Sequence, residues 1–395
     1  MTRVVTGLEV LVATPELVGG RRWGLLANHA AVTADLDPAR VVLRAAGLGP
    51  LVRLFAPEHG LDGVAQDMEA VGDARDPVTG CEVRSLYGRN ARSLVPSAAD
   101  LDDLEVLVVD LPDIGARYYT FAATMDAAMG VCERAGIELV VLDRPNPIGG
   151  VWREGGPVEP GFESFVSQLP VPVRHGLTLG EVALLLHRAR YRGLELTVVP
   201  CRGWLRSRWL DDTGLPWVPP SPNMPTLETA ALYPGLCLVE ATTLSEGRGT
   251  TRPFHLVGAP RIDAERVSAR LRELALPGVA VRPARFRPQF GKHAGSVCAG
   301  IELHVTDREA LEPVALGLHL LQTIHDLEPA AFGWRSEPYE FVRDVPALDL
   351  LTGSARARRL IENGEALEPL LGAWRAEVAR FENDLEGVLL HHEVG

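Results

Sequence analysis

A doubly wound α/β sheet followed by a smaller α+β region is the fold that this 395-residue chain predicts. Three observations lead there. At roughly 150 residues per domain, the length asks for more than one domain. Short β-rich runs alternate with helix-compatible stretches through the first half. Past a proline-rich segment that alternation stops. The composition, 46% hydrophobic and 23% charged, is ordinary for a globular protein and excludes a mainly disordered chain.

Arg22 to Ala27, Leu51 to Phe55, Leu104 to Asp110 and Ile137 to Asp143 read as strands ending at polar or turn residues. The third and fourth are nearly continuous apolar runs, as expected of parallel strands covered on both faces. Thr120 to Ala135 reads as the helix between them. Another helix is expected from Thr178, because Thr178-Leu-Gly-Glu181 fits a capping box, and Glu181 is accordingly read as a cap. Pro216 to Pro225 holds five prolines in ten positions, which neither a helix nor a central strand tolerates. It marks the expected boundary between a domain of residues 1–225 and one of residues 226–395. In the second, Arg261 to Leu274 and Glu309 to Leu327 are expected helical, and Val279 to Phe286 and Cys298 to Val305 extended. Residues 348–385 are expected to be mostly helical.

The net charge of −13, with no long basic run, argues against nucleic-acid or anionic-membrane partners. No apolar stretch approaches the ~18 residues of a membrane span, and the first ten residues lack the pattern of a secretory signal. A cytoplasmic location is therefore expected. The five cysteines are scattered and form no zinc spacing or disulfide framework, so they read as buried small hydrophobes in a reducing compartment. No phosphate-loop, dinucleotide, HExxH or GxSxG pattern is present. Neither a cofactor nor a metal is expected, and oligomeric state is not legible.

In doubly wound sheets, ligands sit beyond the carboxyl ends of the strands. There the chain places Ala56-Pro-Glu-His-Gly60, Leu111-Pro-Asp-Ile-Gly-Ala-Arg117 and Arg144-Pro-Asn-Pro147. Glu58 held against a cleft wall suits a general acid, or the motif is a turn whose Glu and His bond to backbone. Arg117 suits a ligand carboxylate, or it pairs internally with Asp113. Asp143 to Pro147 suits a binding loop or a proline-fixed Asx turn. In Ser245-Glu-Gly-Arg-Gly-Thr-Thr251 the alternating glycines allow close approach of an anion beside Arg248; a plain glycine loop is the competing reading. His175 and Lys292–His293 are weaker signals.

Taken in order, these motifs resemble those of the NamZ-type exo-β-N-acetylmuramidases. Leu25-Leu-Ala-Asn-His29, Ser85-Leu-Tyr-Gly88, Val173-Arg-His-Gly176, Pro220-Ser-Pro-Asn-Met-Pro225 and Phe286-Arg-Pro-Gln-Phe290 extend the resemblance over nearly the whole chain. It implies a Rossmann-like N-terminal domain, a smaller C-terminal domain and a cleft between them. It further implies a glycoside hydrolase that frees terminal N-acetylmuramic acid from the non-reducing end of peptidoglycan fragments. On this resemblance Glu58 is the expected acid/base. Asn28, His59, Tyr87, Arg117, Tyr119, Asp143, Asn146, His175, Asn223, Arg248, Thr250 and Lys292 are expected to bind substrate. The lactyl carboxylate would face Arg117 or Arg248. The second catalytic group would be Glu246, Asp113 or the sugar's own acetamido group. Pro112 and Asp62 stand where relatives commonly carry Gln and Arg, and an anion near the acid is expected to favour its protonated form and weaken anionic-ligand binding. Two rival readings are a non-catalytic muropeptide sensor and a hydrolase acting on the lactyl ether.

Overall fold

The computed structural model describes residues 3–392. Its larger sheet has seven strands: β1 (Trp23–Ala27), β2 (Leu51–Ala56), β3 (Ala74–Arg75), β4 (Glu82–Ser85), β5 (Val106–Asp110), β6 (Glu138–Leu142) and β7 (Leu196–Val199). They lie in the order β3-β4-β2-β1-β5-β6-β7, all parallel except the edge strand β3. A separate antiparallel sheet joins β8 (Leu256–Ala259), β10 (Cys298–Val305) and β9 (Val279–Phe286) in that order.

The helices are α1 (Gly7–Ala13), α2 (Ala39–Ala45), α3 (Ala98–Leu101), α4 (Phe121–Ala135), α5 (Leu179–Ala189), α6 (Leu227–Leu236), α7 (Ala264–Glu273), α8 (Pro313–Leu327), α9 (Ala347–Thr352), α10 (Arg356–Asn363) and α11 (Glu368–Asn383). At the start of α5 the expected capping box is present: Thr178 Oγ1 accepts from the Glu181 N–H, and Glu181 accepts from the Thr178 N–H. Helix α4 stops at Gly136, which takes the left-handed conformation.

Alternation along the strands sorts side chains to two sides. Leu25, Leu54, Val108 and Val140 join the core under α1 and α2, whereas Leu26, Phe55, Val109 and Val141 join the core under α4 and α5. The second core does not end with the sheet. It continues through Leu232 of α6, Ile301 of β10, Leu320 of α8 and Leu350 of α9, so apolar packing is continuous between the two halves. Helices α6 and α8 cross closely at Gly235 and Gly317, where a Cβ on Gly235 would lie 1.6 Å from the Pro313 carbonyl oxygen.

Candidate active site

The loop after β2 puts Glu58 into a narrow cleft that is walled from both halves. Glu58 is 5% exposed. Its Oε1 accepts from the Met68 N–H at 3.0 Å and its Oε2 from Thr120 Oγ1 at 2.7 Å. His59 has φ 70° and Gly60 φ 78°, so the chain reverses directly after the carboxylate. The loop is closed by a bond between His59 Nδ1 and the Ala65 carbonyl at 2.8 Å.

A second carboxylate reaches the same cleft from the other half. Tyr339 and Val342 exchange two backbone hydrogen bonds, and between them Glu340 and Phe341 have φ 45° and 69°. Two-residue hairpin turns with positive φ at both centres normally carry Asn-Gly. A Glu-Phe pair there is strained, at ~1–3 kcal/mol per residue. Glu340 Oε2 accepts from the Tyr87 hydroxyl at 2.9 Å, and Phe341 packs on the Tyr87 ring at 5.9 Å. Burial first, and then the charge of Glu58, pushes the Glu340 carboxyl well above the usual carboxylate range. The Tyr87 phenol is likewise pushed up by burial and by both glutamates.

Across the cleft, Arg248 is held by three carboxylates: Nη1 to Glu240 at 2.7 Å and to Glu246 at 3.3 Å, and Nε to Asp67 at 3.3 Å. Its guanidinium lies over Phe254, 4.9 Å from the ring centroid. Burial pushes Glu240 up despite Arg248. For Glu246 burial acts the same way, but Lys292 at 3.1 Å and Arg248 outweigh it and hold the carboxyl low. Of the nine non-glycine residues with positive φ among the described residues, His59, Met68, Phe254 and Glu340 line this one cleft. Backbone strain gathers where function over-determines geometry.

The structure therefore brings together Glu58, His59, Tyr119, Asn223 and Arg248 as cleft wall, with Tyr87 bonded to Glu340 behind it. Other expected residues fall elsewhere. Arg117 is fully buried and donates to the carbonyls of Gly156, Val171 and Leu351, so it ties loops together and does not line the cleft. Burial lowers its guanidinium to about 10. It makes no pair with Asp113, whose Oδ2 instead accepts from the Gly115 N–H and lies 3.2 Å from His175 Nε2. Asp113 lines a different pocket, with Pro112, Arg144 and Trp217.

Glu246 and Lys292 form the ion cluster behind Arg248 and are absent from the cleft wall. Asn28 donates to the Pro220 carbonyl, Asn146 to that of Leu177, and Thr250 to that of Gly247; each is spent on backbone. Gly247 and Gly249 have φ 82° and 78°, and a Cβ on Gly249 would meet the Phe290 backbone at 2.6 Å. The Gly247 N–H donates to Ser245 Oγ, so this loop is a structural glycine turn that delivers Arg248. Asp143 is buried at the N-terminus of α5, accepting from the Gly180 N–H at 2.8 Å. Neither sequence departure lines the cleft: Asp62 is exposed and its charge falls on His29, while Pro112 belongs to the Asp113 pocket. Sequence reasoning missed Glu340, Glu240 and Asp67. Thr120 lay at the end of a recognised motif, but nothing around Glu340 resembles a turn signal.

A cleft at the carboxyl end of a parallel sheet, closed by a second unit that adds a carboxylate, belongs to a known class. The chain is a member of the exo-β-N-acetylmuramidase NamZ family: the N-terminal family model matches residues 23–228 and the C-terminal one residues 231–391. Among its relatives is the peptidoglycan β-N-acetylmuramidase NamZ of Bacillus subtilis, 40% identical over 390 residues, covering 98% of this chain and 92% of that protein. Two crystal structures of DUF1343 family proteins from Bacteroides fragilis share the fold. One has a TM-score of 0.89 at 33% identity, covering 99% of this chain and all of that one. The other has 0.77 at 27%, covering both chains fully.

Proposed function

We propose that this protein is an exo-acting glycoside hydrolase that releases β-linked N-acetylmuramic acid from the non-reducing end of peptidoglycan fragments. The observation that carries the reading is the pair of glutamates facing one buried cleft, Glu58 accepting from a backbone N–H and a hydroxyl and Glu340 from the Tyr87 phenol. Glu340, protonated through burial and its neighbour's charge, donates to the glycosidic oxygen. Glu58, both of whose oxygens act as acceptors, faces the sugar as the carboxylate that stabilises the oxocarbenium-like state and takes a proton from water. This reverses the expectation that Glu58 supplies the proton.

Tyr119 and Asn223 stand in the wall to orient the sugar. The buried Tyr119 hydroxyl faces the Ser221 side chain, and a sugar hydroxyl or acetamide would give it a further partner. Arg248 takes the lactyl carboxylate. A division into residues 1–225, carrying Glu58, and 226–395, carrying Glu340, is part of this proposal. So is action on imported fragments in a reducing cytoplasm, which suits five unbridged cysteines. No helix among the described residues is long and apolar enough to cross a membrane.

The test is to offer 4-nitrophenyl β-N-acetylmuramide and the matching N-acetylglucosaminide to the wild type and to Glu58→Gln, with product masses recorded. Turnover of the muramide, lost in the variant, is the expected result. Release of lactate alone would replace glycosidic with ether cleavage. Muramide binding without turnover would make the protein a sensor.

A further inference from the structure

Away from the cleft, three buried side chains turn their donor atoms toward one point beyond the ends of β6 and β7. They are Asp143, Cys201 and His391, exposed to 0%, 4% and 6%. His391 Nε2 lies 2.8 Å from Asp143 Oδ2 and 3.5 Å from Cys201 Sγ, and Cys201 Sγ lies 3.9 Å from Asp143 Oδ2. A hydrogen-bonded thiol–imidazole–carboxylate relay uses both ring nitrogens, one for each partner. Here both partners face the same nitrogen. Without an ion, Asp143 Oδ2 accepts from both Cys201 Sγ–H and His391 Nε2–H. A divalent cation would take the place of those two protons and draw on all three groups at once.

Thiolate, imidazole and carboxylate are the ligand types of zinc, and bonds of about 2.0–2.3 Å in a tetrahedron set ligand atoms roughly 3.2–3.7 Å apart. The Cys201–His391 separation of 3.5 Å falls inside that interval, and the 2.8 and 3.9 Å separations lie just below and just above it, small adjustments that binding would require. The surroundings also hold two of the three in place, as metal sites require of their ligands. Asp143 Oδ1 accepts from the Gly180 N–H, and Trp204 stands edge-on to the His391 ring at 5.2 Å. The flanking Leu390 N–H donates to Glu181 Oε1 at 3.0 Å.

We propose that Asp143, Cys201 and His391 bind a divalent ion of zinc's class, which fastens residues 389–392 to the end of the parallel sheet. None of the three lines the hydrolytic cleft, so the ion's role is structural. On binding, the S–H bond breaks, the sulfur's electron pair goes to the ion, and the proton leaves to solvent.

The full-length protein would be equilibrated with zinc chloride, freed of loose metal and assayed for zinc beside Cys201→Ser and His391→Ala. About one zinc per chain is expected, falling about tenfold in either variant, with a wild-type Tm about 3 °C lower after chelation. Since either variant can misfold, the wild type is also loaded with cobalt(II), where a sulfur-to-cobalt charge-transfer band in the near ultraviolet reports Cys201 ligation. Substoichiometric zinc without that band, or zinc retained by both variants, overturns the site.

Discussion

Glu340 occupies a turn position that its side chain does not favour, and burial, with the charge of Glu58, pushes its carboxyl well above the usual carboxylate range. Two expectations separate its role from that of Glu58. Glu340→Gln is expected to lower kcat by about 10²–10⁴ on a disaccharide, whose leaving group needs a proton, and only slightly on a 4-nitrophenyl glycoside. Glu58→Gln is expected to fail on both. Equal losses for the two variants on both substrates would reject this division of labour. Glu340→Gly is expected to stabilise the fold by up to about 1 kcal/mol while slowing disaccharide turnover as Glu340→Gln does, because glycine adopts positive φ freely; a lower Tm would count against stored strain. Arg117→Ala is expected to cost about 3 kcal/mol, since three buried carbonyls lose their donor. Arg248→Ala should instead raise KM for the muramide.

Helix α8 shows how one element ties the halves together. Its first turn donates to Glu154, from Val314 at 3.1 Å and Ala315 at 2.7 Å. Burial outweighs those bonds and raises the Glu154 carboxyl to about 7. The folded protein therefore binds this proton more tightly than the unfolded chain does. Its contribution is fully present below the ordinary value of 4.5 and is lost as pH rises through about 7, by roughly 3 kcal/mol. Thermal melts between pH 4.5 and 8 should show this decline in the wild type, and a flatter profile in Glu154→Gln. At the same helix, Gly235→Ala would drive a methyl into the Pro313 carbonyl, and a loss of about 3 kcal/mol is expected. A neutral effect by denaturant titration would mean that α6 and α8 separate easily.

At the scale of the molecule, the apolar core runs unbroken from the parallel sheet through α6, α8 and α9. Strain at His59, Met68, Phe254 and Glu340 needs that rigidity, because a loose joint would relax it. Calorimetry is accordingly expected to show one cooperative transition for the whole chain. Two resolved transitions would show that the halves melt independently and that the cleft is a hinge.

Local patterning was enough for the strands that ring the site. Apolar runs ending at Ala56, Asp110 and Leu142 place their loops at one end of the sheet, because parallel strands share a direction. Glu58 was legible for that reason, and Thr178 with Glu181 because a cap is written within four residues. What sequence could not decide is which polar residues spend their donors on backbone. Arg117 and Arg248 look equally suited to a carboxylate until burial places one among carbonyls and the other in the cleft wall. Glu340 is hidden because its turn is imposed by tertiary packing against Tyr87, against the preference of its own residues. Asp143, Cys201 and His391 converge only in three dimensions, since no spacing rule spans 58 and 248 residues. Short-range chemistry is carried by the sequence itself; the partition of charges between scaffold and site is settled when distant segments meet and solvent is excluded.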